Sequence, residues 1–205
     1  QTQCGCADIM MHTMERYFVL EDTMEITDKI AQDVMKNVMK YAKILKKDPE
    51  NYEARAEIMW CGSLSHNGLT GCGTCGGDWA THLIEHELGG MFDVAHGAGL
   101  AAVWGSWARY VMDEKPERFA QFAVNVMGVE ESDDVKSTAL KGIEAVEDFY
   151  RMIEMPTNLK ELGIDPTDEQ IKDMAMKATN HDTQQLGAFK KLSAKDLVEI
   201  YKAAK

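Results

Sequence analysis

One aspartate and four histidines carry the clearest chemical signal in this sequence. Asp8 and His12 are four residues apart, as are His82 and His86, and His96 follows fourteen positions after His82. Residues four apart on a helix project from the same face, so each pair is placed to reach one ion. Imidazole and carboxylate donors suit zinc or ferrous iron. Five candidates compete for about four positions, and their spacing leaves open which one is not a ligand.

Each pair taken alone has a simpler interpretation, a hydrogen-bonded or solvated pair on the surface of an acidic helix. Their joint presence on helices otherwise poor in histidine favours the metal site. The remaining two histidines, His66 and His181, lie beside asparagine and aspartate in polar segments and are predicted to be surface residues.

These candidates lie in a chain that predicts helix after helix. Apolar residues recur at steps of three and four, which is helical periodicity, and no convincing alternation of period two predicts a strand. Thr27 is predicted as the N-cap of the second helix, and Asp48-Pro49 as the start of the third. The predicted helices cover 8–20, 28–45, 48–64, 78–91, 96–112, 116–127, 135–153, 168–179 and 194–204. The fold class predicted is therefore all-α.

A glycine-rich loop before the fourth helix offers two other motifs. GCGTCG at 71–76 matches the G-x-G-x-x-G pattern of dinucleotide-binding folds, but that motif needs a preceding strand, and here a helix is predicted before it. Cys72 and Cys75 form one Cys-x-x-Cys without a second such pair. Five unevenly placed cysteines do not make a disulfide framework, so we predict reduced thiols and a cytoplasmic location.

Length and charge exclude several classes of protein. The 205 residues are enough for one domain with a real core, and the formal net charge is −12. Nucleic acids and anionic membrane surfaces need a cationic face, so neither is expected as a partner. The sequence starts QTQCGC, without an initiator methionine or a signal-peptide pattern, which suggests a piece of a longer chain.

Two segments carry a family resemblance. CGCADIMMHTMERYF (4–18) and GGDWATHLIEHELGGMFDVAHGAGLAAVW (76–104) resemble the metal-binding segments of the iron-containing alcohol dehydrogenases, in particular the butanol-dehydrogenase-like branch. RFAQFAVNVMGV and the closing helices are also similar, so the resemblance covers essentially the whole chain. It implies the multi-helix C-terminal domain of the dehydroquinate synthase-like fold that this family shares.

The resemblance assigns roles to the five candidates. Matched motif by motif, it implies that Asp8, His12, His82 and His96 hold the metal, and that His86 lies near the nicotinamide and substrate as a catalytic residue. Iron is the expected ion, although an Asp/His₃ set also accepts zinc or nickel. The ion would polarise an alcohol or aldehyde oxygen while hydride passes to or from NAD(P), and a histidine is suited to carry the alcohol proton.

One departure from the family pattern limits these expectations. Family members carry an N-terminal α/β domain with a GGGS-type pyrophosphate loop, and this sequence has no such loop. Residues 1–205 are therefore predicted to be a single helical metal-binding domain, with the cofactor-binding residues unknown. We predict the catalytic half of an NAD(P)-dependent alcohol dehydrogenase or aldehyde reductase that is inactive by itself on small alcohols and aldehydes.

The expected partner of this half is the missing N-terminal domain. The face that would meet that domain is expected to be apolar in patches, so we also predict weak self-association into a homo-oligomer. Two alternatives to a catalytic half stay open. The chain could be a stand-alone, non-catalytic helical metal-binding or interaction domain. The plainest alternative is a helical bundle whose histidines are only structural.

Overall fold

Helices make up the architecture. The computed structural model describes residues 1–21 and 25–205, and within these ranges the only strand-like pairing is an isolated bridge between Leu186 and Leu192. Short 3-10 turns cover Leu69–Gly71 and Met112–Glu114. The α-helices of the described ranges are α1 (Thr2–Tyr17), α2 (Glu25–Lys47), α3 (Tyr52–His66), α4 (Ala80–Phe92), α5 (His96–Val111), α6 (Pro116–Asn125), α7 (Val135–Met152), α8 (Leu159–Leu162), α9 (Asp168–Ala178) and α10 (Ala194–Ala203). The predicted all-α class is confirmed.

Several predicted helix ends were wrong. α1 starts at Thr2 and not at Asp8, and the short α8 was not predicted at all. Thr27 is not an N-cap but lies inside α2, where its hydroxyl donates to the carbonyl of Cys72 at 3.0 Å. α3 starts after Asn51, whose side chain accepts the N–H of Ala54 at 3.0 Å and so satisfies a donor that the first turn leaves open.

α1 is the central helix of the fold. It packs against α2, α3 and α5, and residues on most of its faces are fully buried, including Ala7, Met10, Met11 and Met14. A helix buried all round must be apolar on most of its faces, and the polar residues that it does carry need partners. Those polar residues are the ones that build the site.

Glycine at the start of α5 allows this helix to approach α1 closely. A Cβ atom at Gly97 would lie 2.0 Å from the backbone oxygen of Cys4, so a larger residue would force the two helices apart. Because His96 is the neighbouring residue, this close packing places its imidazole beside α1.

α4 is held from two sides. The buried carboxylate of Asp78 accepts N–H groups from Ala80 at 3.0 Å and from Ala188 and Phe189 at 2.7 Å, which joins the start of α4 to the segment before α10. On the other side of α4, the hydroxyl of Tyr201 donates to the carbonyl of Ile84 at 2.7 Å. Within the described ranges, the helices lack the combination of length and hydropathy that crossing a membrane requires.

Candidate metal centre

Three helices supply the predicted site residues. α1 carries Asp8 and His12, α4 carries His82 and His86, and His96 is the first residue of α5. The start of α4 is tied to α1 through Glu15, whose backbone carbonyl accepts the N–H of Asp78 at 2.9 Å. The side chain of Glu15 accepts the N–H of Thr81 at 2.7 Å. These contacts fix the position of His82 relative to α1.

One carboxylate oxygen lies at the centre of three imidazoles. Asp8 Oδ1 lies 3.6 Å from His12 Nε2, 3.5 Å from His82 Nε2 and 3.5 Å from His96 Nε2. Four donors arranged tetrahedrally around an ion at bond lengths of about 2.1 Å lie about 3.4 Å from one another. The three observed distances therefore match the three edges that meet at one corner of a tetrahedral coordination shell, and they are longer than an N–H···O hydrogen bond.

Two of these donor atoms are buried without a hydrogen-bond partner. Within the described part of the chain, Asp8 Oδ1 and His82 Nε2 have none, although both are shielded from water. A buried polar atom without a partner is costly. A cation between the converging atoms removes that cost, so the residues present fit a divalent metal ion.

The second nitrogen of two imidazoles faces a buried carboxylate. Nδ1 of His82 contacts Glu15, and Nδ1 of His96 contacts Glu85. A carboxylate can only accept, so each Nδ1 carries a proton and donates it. In the neutral imidazole, the lone pair is then on Nε2, the atom that faces Asp8.

The electrostatics of the cluster follow from these contacts. Burial alone would raise the pKa of Asp8, but contacts with His82 and His96 and the charge of His12 hold it far below its ordinary value. Contacts with Asp8 and Glu85 raise the pKa of His96 to about 10. For His82, burial acts downward, yet Asp8 and Glu15 raise its pKa to about 9.

His12 behaves in the opposite way. Burial, together with the nearby charge of His82, lowers its pKa to about 4. With neutral imidazoles the carboxylates of Asp8, Glu15 and Glu85 outnumber the guanidinium of Arg16, which lies 3.4 Å from His12 Nδ1. When His82 and His96 give up the protons that a metal ion must displace, the cluster has an excess of negative charge that favours a divalent cation.

His86 lies at the edge of this arrangement. Its side chain is exposed, and its ring centroid is 6.2 Å from that of His82 and 5.6 Å from that of His96. A donor atom of His86 also lies within 4.8 Å of donor atoms of Glu85 and His96. Asp8 Oδ1 lies 3.5–3.6 Å from Nε2 of His12, His82 and His96, and His86 is not part of that set of contacts.

The prediction for His66 was incomplete. It is exposed, as expected, with 43% of its side chain accessible, but its Nε2 lies 3.5 Å from Asp8 Oδ2 and its ring centroid 3.8 Å from that of His12. Its Nδ1 lies 2.9 Å from the carbonyl of Gly62 and 2.8 Å from the hydroxyl of Ser65, which leaves Nε2 as the nitrogen that faces Asp8. His66 therefore lies at the rim of the site.

Trp79 and the glycine-rich loop border the site on another side. The Trp79 ring lies 5.3 Å from that of His12 and 5.4 Å from that of His82, and the guanidinium of Arg16 lies over it at 4.5 Å. Trp79 was not among the residues predicted for the site. GCGTCG begins at Gly71, the last residue of the 3-10 turn after α3, and no strand precedes it in the described residues. This is the context on which its rejection as a nucleotide fingerprint was based. Cys72 and Cys75 are exposed, free thiols.

The chain matches known proteins along its whole length. The C-terminal model of the Fe-containing alcohol dehydrogenase family matches residues 2–205. NADH-dependent butanol dehydrogenase A of Clostridium acetobutylicum is 34% identical over 203 residues, which cover 98% of this chain and 51% of that protein. NADPH-dependent aldehyde reductase YqhD of Escherichia coli is 32% identical over 206 residues, which cover 100% of this chain and 52% of that protein.

Solved structures give the same result. The aldehyde reductase YqhD from Escherichia coli superposes with a TM-score of 0.92 at 30% identity, covering 100% of this chain and 53% of that one. NADH-dependent butanol dehydrogenase A from Thermotoga maritima superposes with a TM-score of 0.91 at 34% identity, covering 100% and 52%. The chain spans about half the length of the curated relatives it matches. From its helices and its whole-length match, the chain belongs to the iron-containing alcohol dehydrogenase family and corresponds to the C-terminal part of its members.

Proposed function

We propose that this chain is the metal-binding catalytic half of an NAD(P)-dependent alcohol dehydrogenase or aldehyde reductase. The observation that carries the proposal is the convergence of three imidazole Nε2 atoms on Asp8 Oδ1 at 3.5–3.6 Å. We assign Asp8, His12, His82 and His96 as the metal ligands. A divalent ion held by these residues would supply Lewis-acid chemistry toward the oxygen of an alcohol or aldehyde.

The protein residues then have distinct tasks. Asp8 and the three imidazoles would hold the ion between α1, α4 and α5. His86 is exposed beside His96, so it can exchange a proton with a bound alcohol and with water. Trp79 borders the site and limits the access of water from its side.

The rest of the activity requires more protein than these residues. The relatives named above are NADH- or NADPH-dependent and about twice as long as the matched segment. We infer that an N-terminal nucleotide-binding domain supplies most of the contacts to the cofactor, whose nicotinamide gives or accepts the hydride. Iron is the expected ion from the family description, and zinc and nickel suit the same donors.

Metal binding by the 205-residue chain tests the site directly. Purified protein loaded anaerobically with Fe²⁺, and separately with Zn²⁺ or Ni²⁺, should bind about one ion per chain by elemental analysis. Asp8→Ala and His82→Ala should each weaken binding more than about 100-fold, because even the loss of an outer-sphere partner typically costs 10–100-fold. His181→Ala is the matched control, since this histidine is exposed and belongs to the segment after α9.

Three outcomes would contradict the proposal. Equal metal content in the wild type and in both ligand variants would reject the assigned ligands. A wild type that binds no divalent ion would leave a helical bundle with structural histidines. A metal-binding chain whose longer natural form neither oxidises alcohols nor reduces aldehydes would instead support a non-catalytic metal-binding domain.

A further inference from the structure

Two carboxylates are buried in the helices that carry the site. Glu15 lies in α1 and Glu85 in α4, and their side chains are 0% and 1% exposed. Burial removes the water that hydrates a carboxylate, and this cost is offset only if strong hydrogen-bond partners replace the water. The partners of these two residues therefore indicate what they do.

Glu15 uses both of its oxygens as acceptors. Oε1 accepts the backbone N–H of Thr81 at 2.7 Å and that of His82 at 3.3 Å, while Oε2 contacts Nδ1 of His82. One side chain thus fixes the first turn of α4 and the ring that this turn carries.

Glu85 uses only one oxygen in this way. Oε2 contacts Nδ1 of His96, whereas Oε1 is buried and has no hydrogen-bond partner within the described residues. Its carboxylate occupies space that glycine leaves free, because a Cβ atom at Gly99 would lie 2.5 Å from Oε1. A buried carboxylate with one unsatisfied oxygen is unfavourable for stability, so its contact with His96 is the feature that needs an explanation.

We propose that Glu15 and Glu85 are positioning residues that orient His82 and His96 through Nδ1, so that both Nε2 atoms point at Asp8 Oδ1, and that they thereby set the affinity for the metal. The inference rests on the proposed metal site. Each carboxylate holds its imidazole in one tautomer and one ring orientation, and it increases the basicity of the donor nitrogen.

His12 provides an internal contrast. Its Nδ1 lies 3.4 Å from the guanidinium of Arg16, a weak contact with a cation and not with a carboxylate. The site therefore has two imidazoles held by carboxylates and one that is not.

The two glutamates differ in a way that glutamine can reveal. In Glu85→Gln the amide oxygen can still accept from His96 Nδ1, with the NH₂ group taking the place of the unpartnered Oε1. In Glu15→Gln the NH₂ group must face either the N–H groups of α4 or Nδ1 of His82, since both oxygens of Glu15 are acceptors. Glutamine should therefore preserve zinc affinity much better at position 85 than at position 15.

The test measures zinc affinity of the 205-residue chain by competition with a chromophoric chelator. Glu85→Ala and Glu15→Ala should bind zinc about 10–100-fold more weakly, and Glu85→Gln should recover most of the loss. Glu147→Ala is the matched control, because Glu147 is also a buried glutamate but pairs with Arg109 at 2.5 Å. Circular dichroism checks that each variant keeps its helices.

A second readout follows the tautomer. Long-range ¹H–¹⁵N spectra of the zinc-loaded chain should show slowly exchanging protons on Nδ1 of His82 and His96. In Glu85→Ala, the His96 proton should exchange faster while that of His82 is unchanged. If Glu15→Ala fails to fold, the Glu85 variants decide the question, since among the described residues the side chain of Glu85 accepts no backbone N–H as Glu15 does at Thr81.

The possible results separate this inference from the proposed function. The positioning role is overturned if the wild type binds zinc and Glu85→Ala binds it with an affinity within about twofold of the wild type. It is also overturned if Glu85→Ala loses no more affinity than Glu147→Ala. In both cases the metal site itself stands. A wild type that binds no zinc overturns both. The inference is supported if the alanine variants bind zinc more weakly, Glu85→Gln recovers the affinity, and the Nδ1 proton of His96 exchanges faster in Glu85→Ala.

Discussion

Asp8 on α1 and His96 at the start of α5 face each other with 3.5 Å between Oδ1 and Nε2. This contact joins the two halves of the candidate site, because donor atoms of Asp8, His12 and His82 form one group and those of His96, His86 and Glu85 another. Packing of α5 against α1 through Gly97 brings the two groups together.

His86→Ala should separate catalysis from metal binding. In a longer natural form with the nucleotide-binding domain, the variant should keep its metal but lose rate by about 10²–10⁴-fold, the usual contribution of a proton relay. Metal content and kcat are measured on the same preparation. Loss of the metal would instead make His86 a ligand, and an unchanged kcat would remove it from the reaction.

The metal-free chain should lose stability as the pH rises above neutrality. The pKa values of His82 and His96 are raised from 6.5 to about 9 and about 10, so the folded state holds protons that the unfolded chain releases. The resulting stabilisation is complete below about pH 6.5 and disappears as the pH rises through 9 and 10. Urea unfolding of the apo-protein at pH 7 and pH 10 measures the loss.

Asp8→Ala provides the control for this pH dependence. Asp8 is among the groups that raise both histidine pKa values, so the variant should lose less stability between pH 7 and pH 10 than the wild type. If the wild type and Asp8→Ala lose the same stability between pH 7 and pH 10, the pH dependence comes from other groups. Zinc binding to the wild type should release protons over this range and tighten as the pH rises.

Gly99→Ala should weaken metal binding without touching a ligand. The added Cβ would displace the carboxylate of Glu85 from His96, and we expect about a tenfold loss in zinc affinity. Alanine is the better helix former by about 1 kcal/mol, so a loss of affinity is not explained by a weaker helix. Gly90→Ala is the matched control, since nothing lies within 4 Å of a Cβ there.

A double variant tests whether Gly99→Ala weakens zinc binding through Glu85. In the background of Glu85→Ala, Gly99→Ala should cause little further loss, because the displaced carboxylate is already gone. Additive losses would show that Gly99 acts through another contact.

The sequence contained the parts of the site that lie on one helix, but not those that depend on packing. The spacing of Asp8 and His12 predicts their proximity because both belong to α1. The approach of His96 to Asp8 depends on the packing of α5 against α1, which no spacing encodes. The family resemblance supplied that link before the structure did.

Other residues were missed because their local signal is weak. His66 ends α3 beside an Asn-Gly pair and has no partner at a helical spacing, so nothing distinguished it from a surface histidine. Glu15 and Glu85 are two among 34 acidic residues, most of which are solvated in a chain of this charge. Their burial, together with their contacts to Nδ1 of His82 and His96, identifies them.

The 205-residue chain should self-associate weakly through α3. Tyr52, Met59 and Trp60 are 83%, 75% and 62% exposed on this helix, an unusual amount of apolar surface for one element. Sedimentation velocity should show a concentration-dependent increase in mass that Trp60→Ser reduces. A monomer at all concentrations would contradict the prediction, and so would an oligomer that Trp60→Ser leaves unchanged.

The last prediction is that the 205-residue chain folds and binds metal but does not turn over alcohols or aldehydes. Folding is expected because α1 is enclosed by α2, α3 and α5, which gives the chain a continuous core of buried side chains. Turnover requires the reacting carbon and the nicotinamide to be held about 3–3.5 Å apart, and such positioning supplies much of the rate. If the nucleotide-binding domain supplies most cofactor contacts, NAD(P)H will bind this chain weakly and without a fixed orientation.

An absorbance assay on the zinc- or iron-loaded chain with butanal and millimolar NADH or NADPH decides the point. The expected rate equals that of the metal-free chain. Addition of the separate nucleotide-binding domain in trans should restore activity if the two halves re-associate, and Asp8→Ala should abolish whatever is restored. Steady oxidation of either cofactor by the 205-residue chain alone would show that it carries its own nucleotide site. The loop at 71–76, which borders Arg16 through Gly71, would then be the first segment to mutate.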